Sequence, residues 1–240
     1  MKKDDGSEIV TLNNQSDWGG LVVRDRRLGP IKAMGCGLSV GPKGHKKRSY
    51  FENCTFSDVK ADRCVVGHPI FRNCTFRNVK TDFLHCYHAL FLACKLEGII
   101  SRVNFGLQAK SDLASSTIDP KLKKENDRLL SEVPFSLDVR DAILADVAFD
   151  GEEIIPYVLF NPGQCAIYRG EMLSEKLNAL GQGILDRALQ KALFCVSPSK
   201  NDRLAMVSLE AIGASERVSE LREIVSKEGI ELIDHPLIRS

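Results

Sequence analysis

Three consecutive stretches of the chain match one another at a spacing of twenty residues. They are YFENCTFSDVKADRCVVGHP (50–69), IFRNCTFRNVKTDFLHCYHA (70–89) and LFLACKLEGIISRVNFG (90–106). Phe51, Phe71 and Phe91 fall in one column, and Cys54, Cys74 and Cys94 in another. Val59, Val79 and Ile99 make a third; Phe56, Phe76 and Leu96 a fourth. Self-similarity at a fixed period marks a solenoid, whose repeats bury their apolar side only by stacking on the next.

Inside the repeat the count is five. Starting from Phe51, every fifth residue (Phe56, Ala61, Val66, Phe71, Phe76, Thr81, Cys86, Phe91, Leu96, Ser101) is apolar or small. So is the residue two before each: Ser49, Cys54, Val59, Cys64, Pro69, Cys74, Val79, Leu84, Ala89, Cys94, Ile99. The charges, among them Glu52, Asp58, Lys60, Asp62, Arg72, Arg77, Lys80 and Asp82, lie between these sets. A period of five suits neither a helix nor a long flat strand. It suits a chain that turns a corner every five residues.

On these units the chain resembles the pentapeptide-repeat family, whose pattern is a small residue, any residue, Leu or Phe, then two variable residues. Cys54-Thr55-Phe56-Ser57-Asp58 and Cys74-Thr75-Phe76-Arg77-Asn78 fit it well. Ser49-Tyr50-Phe51-Glu52-Asn53 and Cys94-Lys95-Leu96-Glu97-Gly98 fit too, and the units centred on Ala61, Thr81 and Ser101 fit loosely. The resemblance implies a right-handed, four-sided β-helix over roughly residues 49–106.

At 240 residues the chain has room for one large domain or two small ones. No apolar run reaches the length of a membrane span. The start, MKKDDGSEIV, lacks an apolar secretory core, so a cytoplasmic protein is expected. The net charge of +1 conceals a basic first half (1–109) and an acidic second (110–240), as two differing parts would give.

Five of the eight cysteines follow the same register. Cys54, Cys64, Cys74 and Cys94 take the small inward position and Cys86 a centre, so they are expected as buried, reduced thiols acting as small hydrophobes. Cys86, His85, His88 and His68 are the nearest to a metal site; no CxxC pair exists, and neither metal nor cofactor is expected.

Residues 18–48, rich in Gly and carrying Leu21, Val22, Val23, Ile31, Met34 and Val40, read as short strands and turns that cap the solenoid. GPKGHKKRS lacks the spacing of a phosphate loop and reads as a basic loop of Lys43, His45, Lys46, Lys47 and Arg48.

After Gly106 a helical pattern is expected. Asp119-Pro120 opens a helix to about Leu130, with Asp as N-cap and Pro first. The stretch 136–149 sets Leu137, Val139, Ile143, Leu144 and Val147 at helix-like intervals. Further helices are expected over 174–196, 202–212 and 215–227, with a short apolar run at 154–160 and a strand or extended tail at 230–233. SLEAIGASERVSELREIV (208–225) is similar to the end of a bacterial all-helical family with proposed DNA mimics. The fold class expected is therefore α+β. A short right-handed parallel β-helix of about three coils is followed by an α-helical domain. Residues 1–17 form a polar segment, 18–106 the capped β-helix and 107–240 the helical domain.

No GxSxG, HExxH or strand-borne GxGxxG is present. Glu152 and Glu153, or Asn161, Gln164 and Tyr168, are the nearest to a catalytic or pocket-lining set, and loop acids and turn packing account for them. The expected function is non-enzymatic protein binding, with a bacterial immunity (toxin-neutralising) or inhibitor protein as the leading case. Its candidate contacts are Asn53, Lys60, Arg72, Asn73, Arg77 and Lys80 on the coils and Lys46, Lys47 and Arg48 in the loop. A DNA mimic or topoisomerase-interacting protein is a second reading, disfavoured by the short, basic solenoid. A secreted effector with a catalytic helical domain is a third. Finally, Tyr50, Ile70 and Leu90 form an apolar outward column, and Leu92, Ile100 and Val103 stand where the earlier coils carry charge. The helical half is expected to cover Leu90, Leu92, Ile100 and Val103.

Overall fold

The computed structural model describes residues 10–17, 19–40, 48–86, 88–106, 120–150, 157–160, 165–169, 204–208 and 231–233, with 223, 226, 227 and 229. Two parallel sheets form the walls. The first wall stacks β2 (Val22–Arg24), β6 (Tyr50–Glu52), β9 (Ile70–Arg72) and β11 (Leu90–Leu92). The larger sheet runs β1 (Val10–Asn13), β4 (Ile31–Met34), β7 (Thr55–Asp62), β10 (Thr75–Cys86), β12 (Cys94–Gly106), β13 (Leu137–Asp150), β14 (Val158–Leu159). The short strands β3 (Arg27–Leu28), β5 (Gly37–Leu38) and β8 (Val65–Val66) extend its rungs.

The register carries the expected period. Phe51 pairs with Phe71 and Phe71 with Phe91; Thr55, Phe56 and Val59 pair with Thr75, Phe76 and Val79. Phe51, Phe71 and Phe91 stack ring on ring at 5.1 and 5.3 Å, and Phe56 and Phe76 at 5.0 Å. The two columns meet edge to face, as with Phe71 and Phe76 at 5.1 Å, a favoured aromatic arrangement. Cys54, Cys64, Cys74, Cys86 and Cys94 are buried free thiols, as expected from their positions.

The corners are held by left-handed residues. Asn53 and Asn73 have φ of 54° and 53°, and Asn73 donates to the Asn53 side chain at 3.4 Å. Asp58, Asn78 and Gly98 form a second corner with φ of 52°, 54° and 67°. A Cβ on Gly98 would lie 2.2 Å from the Asn78 side-chain oxygen, so a larger residue on this rung would have to displace that side chain as well as adopt the left-handed φ. Asn and Asp tolerate the left-handed region best among the other residues.

The segment 18–48 is more than a cap of strands and turns. Val23, Leu28, Ala33 and Leu38 pair with Phe51, Phe56, Ala61 and Val66, which makes a further coil in the same five-residue count. Its offset is 28 residues rather than 20, because extra chain lies between Val40 and Ser49.

Among the described residues no α-helical domain is found; those after Gly106 continue the β-sheet architecture. The stretch 136–149, expected helical, is strand β13, parallel to β12, with Ile99, Ile100 and Val103 beside Ile143, Leu144 and Val147. Its buried apolar residues are Leu137, Val139, Ala142, Leu144 and Val147, alternating intervals of two and three. That is the five-residue count again. Leu137 in turn pairs with Val158, and Val158 and Phe160 are buried in the common core. Within 202–212, the expected helix is replaced by strand β16 (Leu204–Ser208), which pairs antiparallel with β15 (Cys165–Arg169). β17 (Glu231–Ile233) joins β15 on its other side, which agrees with the strand expected at 230–233. The helix expected over 174–196 lies outside the described residues, as does most of 208–227.

Among the described residues one helix of several turns stands, α1 (Pro120–Ser131), where Asp119-Pro120 predicted it. It sits in the long connection between β12 and β13 and packs on the first wall. Leu130 joins Ile70, Leu90 and Leu92 in a buried cluster with Leu129, Val133, Tyr50 and Tyr157 at its margin. Helix coverage of Leu90 and Leu92 was foreseen; that of Ile100 and Val103 was not realised. Both are interior, because a bulge at Gly98-Ile99 slips the register and sets Ile100, not Ile99, beside Val79. Ile99 is left 38% exposed.

Candidate functional site

The larger sheet presents a wall that α1 does not cover. Here β1, β4, β7, β10 and β12 run side by side, and the strand alternation sends every second residue outward. Thr11 pairs with Lys32, Lys32 with Lys60, Lys60 with Lys80, and Lys80 with Ser101. Three lysines therefore stand on three consecutive rungs, bounded by a threonine and a serine. All three are exposed, and none is ion-paired among the described residues. Like charges directly opposite each other on neighbouring strands are destabilising. No carboxylate of the described residues is ion-paired with them.

Two residues further along each strand runs a second column: Asn13, Met34, Asp62, Asp82. Its acids are engaged from the side, Asp62 by Arg63 at 3.4 Å and Asp82 by Arg102 at 2.7 Å. Met34 is 40% exposed. The two columns line an open groove of about 490 Å³. Thr81 closes its floor, donating to the carbonyls of Ser101 and Arg102 at 3.1 and 2.6 Å and accepting from the Leu84 amide. A rigid β floor with unneutralised ammonium groups can hold an anionic surface at small ordering cost.

The other candidate contacts are placed elsewhere. Arg48 is inside the molecule: it donates from Nε to the His68 carbonyl at 2.8 Å and from Nη1 to Asn126 Oδ1 at 2.6 Å, with Glu125 at 3.9 Å. Burial lowers its pKa to about 10, against the opposing pull of Glu125. It fastens α1 to the coils. Arg72 reaches Glu132 at 3.3 Å, at the end of the same helix. Arg77 is held by Glu97 on the next rung at 2.9 Å. Asn53 and Asn73 form the corner ladder, which Asp25 extends at 2.9 Å from Asn53. Lys46 and Lys47 lie outside the described residues, as do Lys43, His45, Glu152, Glu153, Asn161 and Gln164. Tyr168 is a β15 residue between Ala205 and Leu232.

Of the candidates among the described residues, the structure stacks Asn53 on Asn73 at a corner and Lys60 on Lys80 on an open face, and to the latter pair it adds Lys32. Lys32 escaped the twenty-residue count because its offset is 28. The signal was present in the five-residue spacing of Val23, Leu28, Ala33 and Leu38.

The histidines weighed for a metal stack as rings, His68 on His88 at 4.6 Å. Among the described residues no group of three or more His, Cys, Asp or Glu side chains is disposed to hold a metal ion. The side chain of His85 lies outside the described residues. Burial pushes the Cys86 thiol up to about 12 and Cys94 well above its ordinary range.

No family model, curated protein or solved structure matches this chain. No helix among the described residues is long and apolar enough to cross a membrane.

Proposed function

We propose that this chain is a non-catalytic protein-binding protein built on pentapeptide-type coils, and that the Lys32–Lys60–Lys80 face is where it meets an acidic partner. The observation that carries the reading is the ladder itself. Three stacked ammonium groups oppose folding slightly, and no carboxylate of the described residues answers them. An external anionic group turns that cost into binding energy and speeds encounter. The paired rungs of β4, β7 and β10 hold the face rigid. A toxin-neutralising or inhibitor protein is the form of this function to test first, since blocking a partner requires a surface and no chemistry.

The test is comparative capture. The full chain and a Lys32→Gln, Lys60→Gln, Lys80→Gln variant are each used as bait in lysate of the source cell. Specific partners should be retained by the first, lost by the second and released from the first as salt rises. A partner held equally by both baits removes the lysine face from the function. Co-expression of the captured partner with and without the chain then reads neutralisation directly.

A further inference from the structure

We infer that the lysine face takes an acidic α-helix of the partner protein, laid along the axis of the coils with three carboxylates on one stripe. This rests on the reading that the face binds a protein.

The argument is one of pitch. Neighbouring rungs of a sheet are about 4.8 Å apart, so Lys32 and Lys80, two rungs apart, are separated by about 9.6 Å at the backbone. On an α-helix, residues at i, i+4 and i+7 share a face; at 1.5 Å per residue the first and last are about 10.5 Å apart. Three acids at that spacing meet three lysines rung for rung. In an extended strand, same-face residues recur only every ~6.7 Å, so three of them span about 13 Å and overrun the ladder. Thr11 and Ser101 set that limit, since the charged column stops at both ends.

The neighbouring column argues against a nucleic acid. Asp62 and Asp82 lie on the same side of the sheet as Lys60 and Lys80, two residues along. A duplex is negative along its whole length and brings phosphates against both columns. A helix carries a different stripe beside its acids, free to set basic or apolar residues against Asp62, Asp82 and the exposed Met34.

The experiment uses the full chain and fluorescence anisotropy at low ionic strength. Four labelled probes of matched charge are compared. The first is an alanine-based helical peptide with Glu at i, i+4 and i+7. The second has the same composition with its Glu residues scattered round the helix. The third is an extended Thr/Pro-rich peptide with alternating Glu, and the fourth a short DNA duplex. Three exposed-type ion pairs together correspond to roughly tenfold, so the striped helix should bind about tenfold tighter than the scattered one. Lys60→Gln should weaken it several-fold, and Lys95→Gln, across the Asp58–Asn78–Gly98 corner from the ladder, should leave it unchanged. Equal binding of striped and scattered peptides, both weakened by Lys60→Gln, overturns the helix while the acidic-protein reading stands. Tightest binding by the extended peptide also overturns the helix. Tightest binding by the duplex overturns both. Failure of all four probes overturns the inference, and partner capture by the triple Gln variant then decides the fate of the broader reading.

Discussion

Two outward columns of this molecule have the same geometry and opposite chemistry. On the first wall Val22, Tyr50, Ile70 and Leu90 lie one above another, and the chain covers the upper part of that column with α1. On the larger sheet Lys32, Lys60 and Lys80 lie one above another, and no helix among the described residues covers them. Phe51, Phe71 and Phe91 face inward under the first and the smaller Ala33, Ala61 and Thr81 beside the second, so one coil carries either chemistry outside. The difference is in what answers each column. The apolar one is satisfied within the chain, by Leu129, Leu130 and Val133 and by the clasp of Arg48 on Asn126. The charged one is left for a partner.

The largest test lies between the two columns. Phe71 is sandwiched between Phe51 and Phe91, and Phe71→Ala should cost about 3–5 kcal/mol in denaturant unfolding, since the cavity has rungs on both sides. It should damage both walls together; a loss under 1 kcal/mol would mean the walls do not share one core. Next comes the covered column. Leu90 is 2% exposed beneath α1, and Leu90→Ala should cost about 2–4 kcal/mol. It should also raise hydrogen exchange in Pro120–Ser131 while the β7 and β10 amides stay protected. Uniform deprotection would show the helix to be inseparable from the coils.

Alkaline titration sharpens the comparison from inside. Cys86 ionises near 9 in an unfolded chain and at about 12 in the fold, because burial penalises the thiolate. A raised folded pKa leaves stability intact below pH 9 and erodes it as pH climbs toward 12. Each unit of pH in that window removes about 1.4 kcal/mol per buried thiol. Cys86→Ala should flatten that slope in urea titrations between pH 8 and 10.5; an unchanged slope would assign it to other groups. The smallest effect belongs to the open column. Lys60→Gln relieves like-charge contacts on both sides and should raise stability by about 0.2–1 kcal/mol while weakening partner capture. If both stability and capture fall, the lysine serves the fold and the contrast between the columns collapses.

Much of this fold was legible because its inward residues are large and periodic. The Phe and Cys columns at 51–56, 71–76 and 91–96 gave period, register and burial together. Where the period is carried by smaller residues it was lost. In 137–147, intervals of two and three pass for helical spacing when Ile143 and Leu144 are counted; Val139 and Ala142, both buried, decide for the coil. In 21–38, Gly and Arg dilute the count, so Lys32 went unplaced. The slip that puts Ile100 inward depends on Gly98 adopting a left-handed bulge, and nothing in the apolar pattern distinguishes Ile99 from Ile100. The antiparallel strands Cys165–Arg169 and Leu204–Ser208 pair across a long stretch of chain, which local periodicity does not report.

Two stretches fall outside the five-residue count, between Val40 and Ser49 and between Gly106 and Leu137, and each follows the end of a rung of the larger sheet. The end of one, Arg48, grips the helix grown from the other. The two long insertions thus share one seam, whereas the single-residue bulge at Gly98-Ile99 falls inside the larger sheet, one rung beyond Lys80. A designer could treat that seam as a graft point, lengthening or replacing whole segments there without altering the spacing of the charges. Lineages of such a chain could likewise exchange their seam segments freely while the lysine ladder, fixed by the rungs, drifts only by substitution.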